Sequence, residues 1–431
     1  MFVIMSAYKE MSKQQLLEEK AKLEQQYADF CAKNLKLDMS RGKPGKAQLD
    51  ITSDMMDCLN SGSDFKAEDG MDVRNYGGLD GLPEAKRLFA EMLGVSVSEV
   101  FIGGNSSLNL MYDTVARAML FGTEEGCLPW GKQEKIKFLC PVPGYDRHFA
   151  ITEQFGIEMI NISTTVDGPD MDTVERLVAE DAAIKGIWCV PMYSNPEGIT
   201  YSDETVRRFA SLKPAAKDFR IFWDNAYCVH HLSDEKDTLL NLMDACKAIG
   251  SEDMVYEFAS TSKISFPGAG VAVMATSEKN LARIKKQIFF QTIGHDKINQ
   301  LRHVKYFKDM DGIDAHMKKH AAIIKPKFEL VLEMLEQEIA PYEIGAWNKP
   351  KGGYFVSFDV LAGCATRVYD LCKKGGVTLT NVGATFPYGK DPKDSNIRIA
   401  PTFPPLEELR LAMQLFCICV RLAAVEKLLA A

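Results

Sequence analysis

No stretch of this chain approaches the 18 or more apolar residues that a membrane span requires. The opening Met1-Phe2-Val3-Ile4-Met5 is apolar but short, and no basic segment precedes it, so it does not read as a signal peptide. Basic residues are not in excess: 51 Lys and Arg stand against 59 Asp and Glu, a formal charge of −8. With neither a basic field nor a basic arm, a nucleic-acid partner is not expected. The eleven cysteines form no CxxC pair, and only Cys417 and Cys419 lie close together. Scattered cysteines with apolar flanks predict reduced core residues in a cytoplasmic protein rather than a disulfide framework. Histidine is scarce at seven, no HExxH occurs, and His230-His231 are adjacent positions that point apart on any regular element, so no metal site is expected. Walker A, GxGxxG and GxSxG patterns are absent too.

What is present is an ordinary globular composition, 46% hydrophobic and 26% charged over 431 residues. Residues 10–33 read as a charged amphipathic helix. Pro83 opens a helix that stops before Gly94, proline first and glycine last. From about 100 to 275, short apolar runs alternate with helical patterns. Strands are predicted at 100–102, 136–140, 157–162, 185–190, 219–224, 254–259 and 270–275. Runs such as Ile187-Trp188-Cys189-Val190 lack polar alternation, as strands covered on both faces do. The expectation is an α/β fold, a mostly parallel seven-stranded sheet covered by helices, with a smaller α+β domain. After about 305 the rhythm changes to a long helix over 313–338 with a kink at Pro326, strands at 353–359 and 396–400, and helices near 365–374 and 405–428.

Four places carry chemistry. Gly103-Gly104-Asn105-Ser106-Ser107 joins a strand to a helix start, where backbone N–H groups and hydroxyls can hold an anion, although Ser and Asn are also ordinary helix caps. Ser260-Thr261-Ser262-Lys263 follows an apolar strand; its lysine is either surface decoration or a desolvated, nucleophilic amine. Asp224 in Trp223-Asp224-Asn225-Ala226-Tyr227 ends another strand, as does the loop Asn195-Pro196-Glu197-Gly198, and open parallel sheets bind ligands at such ends. Arg398, inside Asn396-Ile397-Arg398-Ile399-Ala400, must find an anion, because an unpaired buried guanidinium is costly.

Taken in order, these motifs resemble the class I aminotransferases of fold type I, the pyridoxal-phosphate (PLP) family, and within it the aspartate aminotransferase-like subgroup Ic. The resemblance runs from Ser40-Arg41-Gly42 through Asn75-Tyr76-Gly77-Gly78, Pro143-Gly144-Tyr145 and Lys351-Gly352-Gly353-Tyr354-Phe355 to Arg398. It implies that Lys263 holds PLP as a Schiff base and shuttles the proton, that Asp224 pairs with the pyridine nitrogen, and that Tyr227 and Asn195 bond the phenolic oxygen. Tyr145 would stack on the ring. Ser106, Ser107 and Ser260 would hold the phosphate, joined by Tyr76 from a partner subunit in a homodimer with shared active sites. Arg398 would clamp the α-carboxylate of an amino-acid or 2-keto-acid substrate, with Asn195 and Gly42 alongside. Arg41, or more weakly Arg302 or Lys305, would meet a distal carboxylate if aspartate is the donor and 2-oxoglutarate the acceptor.

One departure stands out: the family's phosphate-gripping arginine is missing from Lys263-Ile264-Ser265-Phe266-Pro267-Gly268-Ala269-Gly270-Val271. Two alternatives stand beside this reading: a C–S β-lyase, which would use Lys263, Asp224 and Arg398 as well, and a non-catalytic, aminotransferase-like ligand-sensing module. The implied division is an N-terminal helix and arm (1–50) belonging to a small domain, a large PLP-binding domain (51–305) and the rest of the small domain (306–431).

Overall fold

The strands that lack polar alternation are sandwiched between two apolar layers. In the computed structural model, which describes residues 7–430, Phe138, Trp188, Phe222 and Phe258 join one buried cluster. Their chain neighbours Leu139, Ile187, Ile221 and Trp223 point the other way into a second cluster. Successive side chains leave a strand on opposite faces, so burial on both faces demands an unbroken apolar run. Each such side chain contributes roughly 1.5–3 kcal/mol when taken from water. The apolar opening, Met1 to Met5, lies outside the described residues.

In chain order the strands are β1 (Leu37–Asp38), β2 (Val100–Ile102), β3 (Lys137–Val142), β4 (Glu158–Thr165), β5 (Gly168–Pro169), β6 (Ile184–Cys189), β7 (Arg220–Asp224), β8 (Val255–Ser260) and β9 (Ala272–Thr276), then β10 (Gly345–Trp347), β11 (Val356–Val360), β12 (Val377–Thr378) and β13 (Asn396–Ile399). The main sheet runs β2-β9-β8-β7-β6-β3-β4-β5. Strands β8, β7, β6, β3 and β4 are mutually parallel, while β9 is antiparallel to both of its neighbours. All seven expected strands are present. The sheet has eight rather than seven because the chain turns at residues 166–167 and lays Gly168–Pro169 back along β4. Two residues carry no periodicity, so that edge strand left no trace in the pattern.

The remaining elements form a second cluster. β10, β11 and β13 make an antiparallel sheet, and β1 pairs in parallel with β12. The helix Lys13–Cys31 packs on the C-terminal helix Leu406–Ala430, and Arg421 of the latter is buried between them. Its guanidinium donates to Tyr8 Oη (3.0 Å), Glu19 Oε1 (2.5 Å), Glu338 Oε2 (3.1 Å) and Tyr342 Oη (2.9 Å). A buried charge with that many partners ties the N-terminal helix to the last one. The helix Met310–Glu338 runs without interruption through Pro326. Gly94 closes Pro83–Leu93 at φ +67°, a left-handed cap that glycine adopts without strain.

Candidate active site

Parallel strands end side by side, and the loops leaving those ends bring distant residues together. Asp224 is the last residue of β7, Lys263 lies three residues beyond β8, and Tyr145 ends the turn after β3 as the cap of the helix Asp146–Gln154. Asn195 follows β6. Arg398 comes from β13 of the other sheet, and its guanidinium donates to Asn195 Oδ1 at 3.1 Å. The structure therefore brings together residues spread over more than 250 positions.

Asp224 is 3% exposed. Its Oδ2 lies 3.0 Å from His148 Nε2, while its Oδ1 is buried without a partner. Native proteins rarely leave such an atom unpaired, since it costs the desolvation of a charged oxygen. An open carboxylate oxygen held there can accept a hydrogen bond from a donor outside the chain. His148 was not singled out from the sequence. It lies in the helix Asp146–Gln154 and stacks flat on Trp188, with ring centroids 4.4 Å apart and planes at 10°. Tyr145, three residues earlier, meets it edge-on at 4.9 Å. The spacing of Tyr145 and His148 was the available signal, because residues three apart share a helix face.

Lys263 Nζ lies 4.9 Å from the Tyr227 ring centroid and 5.9 Å from that of Tyr354. Burial holds this amine below its ordinary range, with Asp224 pulling partly the other way. An amine so placed is nearer to the neutral, nucleophilic state than a surface lysine. Burial raises the Tyr227 and Tyr145 hydroxyls, so both remain protonated donors. The loop carrying Lys263 is gripped from behind: the Ile264 carbonyl receives His316 and His320 at 3.0 and 2.9 Å, and His303 reaches Thr261 and Ser265.

Ser106 precedes the helix Ser107–Phe121, yet its side chain makes no capping bond. Ser260 Oγ lies 3.1 Å from Ser262 Oγ. No arginine lies between Lys263 and Val271, but the His295 ring approaches the Gly103–Ser107 turn, with Nδ1 3.9 Å from where a Cβ on Gly104 would stand. Phe355 lies under Arg398, with the guanidinium 4.8 Å from its ring centre, and a Cβ on Gly42 would clash with that ring. Arg41 is exposed and lies 3.5 Å from Asp38. Arg302 and Lys305 instead engage Asn299 and the Asp64 carbonyl, not Arg398 or Asn195. Tyr76 is 81% exposed. Among the described residues, no group of three or more His, Cys, Asp or Glu is placed to hold a metal ion, and all eleven cysteines are free.

The family model described as aspartate amino-transferase matches residues 11–431. The chain belongs to this aminotransferase family. An aspartate aminotransferase of Corynebacterium glutamicum is 46% identical over 404 residues, covering 94% of this chain and 93% of the relative. A protein of Mycolicibacterium smegmatis described as a putative aminotransferase is 47% identical over 98% of this chain and 99% of its own. A crystal structure of an aspartate transaminase from Corynebacterium glutamicum superposes with a TM-score of 0.95 at 43% identity, covering 98% of this chain and 100% of that one. As a member of this aminotransferase family, the chain is an enzyme that transfers amino groups. No helix among the described residues is long and apolar enough to cross a membrane.

Proposed function

We propose that this aminotransferase uses pyridoxal 5'-phosphate to move an amino group between an L-amino acid, aspartate foremost, and a 2-keto acid such as 2-oxoglutarate. The observation that carries this reading is the buried, unpartnered Asp224 Oδ1, oriented by His148 and sharing its site with a desolvated Lys263. When bound, PLP supplies a carbonyl carbon that accepts the amino group and an electron sink for the charge left at the substrate Cα. The chain's own residues supply the rest. Asp224 keeps the proton on the ring nitrogen. Lys263 Nζ, low in pKa for a lysine, takes the proton from the substrate Cα and returns it during the other half-reaction. Tyr227 and Asn195 hold the phenolic oxygen, and Tyr145 covers the ring. Ser106, Ser107 and Ser260 offer hydroxyls to the phosphate where the helix Ser107–Phe121 begins, joined by Tyr76 of a second copy. Arg398 takes the α-carboxylate through parallel N–H bonds, with Gly42 and Asn195 beside it. Arg41 is assigned to a distal carboxylate.

The division into an arm (1–50), a cofactor domain (51–305) and the remaining small domain (306–431) belongs to this proposal. It is supported by the β1–β12 pairing and the Arg421 cluster. A homodimer is supported by aromatic side chains left in water, Phe290 at 88% exposure and Tyr76 at 81%. Free cysteines agree with a cytoplasmic setting. The deciding experiment is a panel of amino donors with 2-oxoglutarate, followed by borohydride reduction of the loaded enzyme and peptide mapping. Turnover with aspartate and a reduced adduct on Lys263 are expected. An adduct on another lysine would overturn the site, and ammonia and pyruvate released without a keto acid would replace the transaminase by a β-lyase.

A further inference from the structure

A guanidinium in an apolar strand needs an anion, and this chain supplies one of its own. Arg398 is 8% exposed, and its Nη1 donates at 3.0 Å to Asp146 Oδ1 as well as to Asn195. Its Nε is buried without any partner, and Phe355 covers its face. Asp146 is the first residue of the helix Asp146–Gln154, where an acid is favoured by the helix end. That preference accounts for an acid at the position, but not for its contact with a residue 252 positions away. The side chain of Asp146 is also about one-third exposed, so it can leave Arg398 for water, which the buried arginine cannot.

We propose that Asp146 is a resident competitor for the substrate carboxylate on Arg398, and so sets how tightly this enzyme holds its substrates. The inference rests on the reading of Arg398 as the α-carboxylate site. A carboxylate makes two parallel N–H bonds either across Nη1 and Nη2, where Nη1 already serves two acceptors, or along the edge that carries the unpartnered Nε. An arriving carboxylate therefore displaces Asp146 into water or shares one guanidinium with it against charge repulsion. Either way affinity is lost, and it is lost equally by amino acids and keto acids, because all carry the α-carboxylate. A uniform loss of this kind raises KM and leaves the chemical step alone. In the empty site Asp146 keeps the buried guanidinium paired, which spares the fold an isolated charge.

The test uses the PLP-loaded enzyme with maleate, an unreactive dicarboxylate, followed by calorimetry. Asp146→Asn keeps shape and an acceptor oxygen but removes the charge; Asp146→Ser keeps a helix-start acceptor too short to reach Arg398. Both variants should bind maleate about tenfold more tightly than the parent, the scale of one partly desolvated charge contact. KM for aspartate and for 2-oxoglutarate should fall by a similar factor, with kcat not rising. Unchanged or weaker maleate binding in both variants would overturn the proposal and make Asp146 a residue that merely orients Arg398. Arg398→Lys serves as the control and should weaken maleate about ten- to hundredfold. If it does not, Arg398 is not the carboxylate site, and the reading beneath this inference fails whatever Asp146 does.

Discussion

Glu197 offers a measurement whose sign and size both follow from the structure. It lies two residues beyond Asn195, mostly buried, accepting from Asn348 Nδ2 at 2.8 Å and Ser357 Oγ at 3.1 Å. Ser357 is paired in register with Arg398 on the neighbouring strand. Burial, aided by the nearby Asp359, pushes the Glu197 carboxyl up from 4.5 to about 7. Below pH 4.5 both the folded and unfolded chains hold this proton. Between 4.5 and 7 the unfolded chain releases it while the folded one keeps it, so stability falls as pH rises through that window. Above 7 both are ionised and the loss is complete. Each pKa unit corresponds to about 1.4 kcal/mol, giving a ceiling of about 3 kcal/mol. Residual solvent access brings the expected value to about 1–2 kcal/mol. Glu197→Gln cannot titrate and so escapes the penalty. For a chain of this length that amounts to roughly 1–3 °C in Tm. The assay is thermal unfolding of parent and variant at pH 5 and pH 8, both saturated with cofactor. The variant's Tm relative to the parent should rise by that amount between the two pH values. A difference that stays constant would refute the raised carboxyl.

Asp224→Ala should reduce the half-reaction rate at least a hundredfold while costing about tenfold in PLP retention, since the carboxylate matters most where charge develops; equal turnover in stopped-flow measurements would refute its role. Light scattering should report a dimer, and Phe290→Asp should shift it toward monomer with loss of activity; a fully active monomer would rule out shared sites.

The main sheet was legible because burial on both faces leaves a plain mark, a run of apolar residues with no alternation. The helix Pro83–Leu93 was legible through its terminal proline and glycine, and Ala365–Lys374 through its helical pattern. What escaped was carried by too few residues or by contacts without a period. Gly168–Pro169 and Gly345–Trp347 are strands only because a neighbour offers hydrogen bonds. In the site, the motifs at strand ends could be read because each is a short contiguous string after an apolar run. The partners of those motifs could not. Nothing local to Tyr145-Asp146-Arg147-His148 says that one side chain reaches Asp224 and another Arg398. The sequence does state that a buried Arg398 needs an anion; only the fold shows that Asp146 provides it.

Histidine illustrates the same limit from the other side. Judged as metal ligands, the seven histidines form no HExxH, and among the described residues they join no group of three or more possible ligands. A loop that leaves a strand end, however, carries carbonyls that the sheet no longer satisfies, and buried carbonyls must find donors. The loop with Lys263 meets this need through imidazoles: His230 lies 3.4 Å from the Lys263 carbonyl, and His316 and His320 meet at Ile264. Burial holds all three below the ordinary histidine range, His320 down to about 4, so they remain neutral near pH 7. Neutrality matters because the rings of His316 and His320 can then donate at one nitrogen and accept at the other. His320 Nδ1 stands 3.2 Å from Gln48, whose amide also donates to Tyr354, one of the two rings beside Lys263 Nζ. Charged imidazoles here would add repulsion to an amine that burial already strains. Four residues from three separate segments thus fix where the lysine stands without adding charge beside its amine.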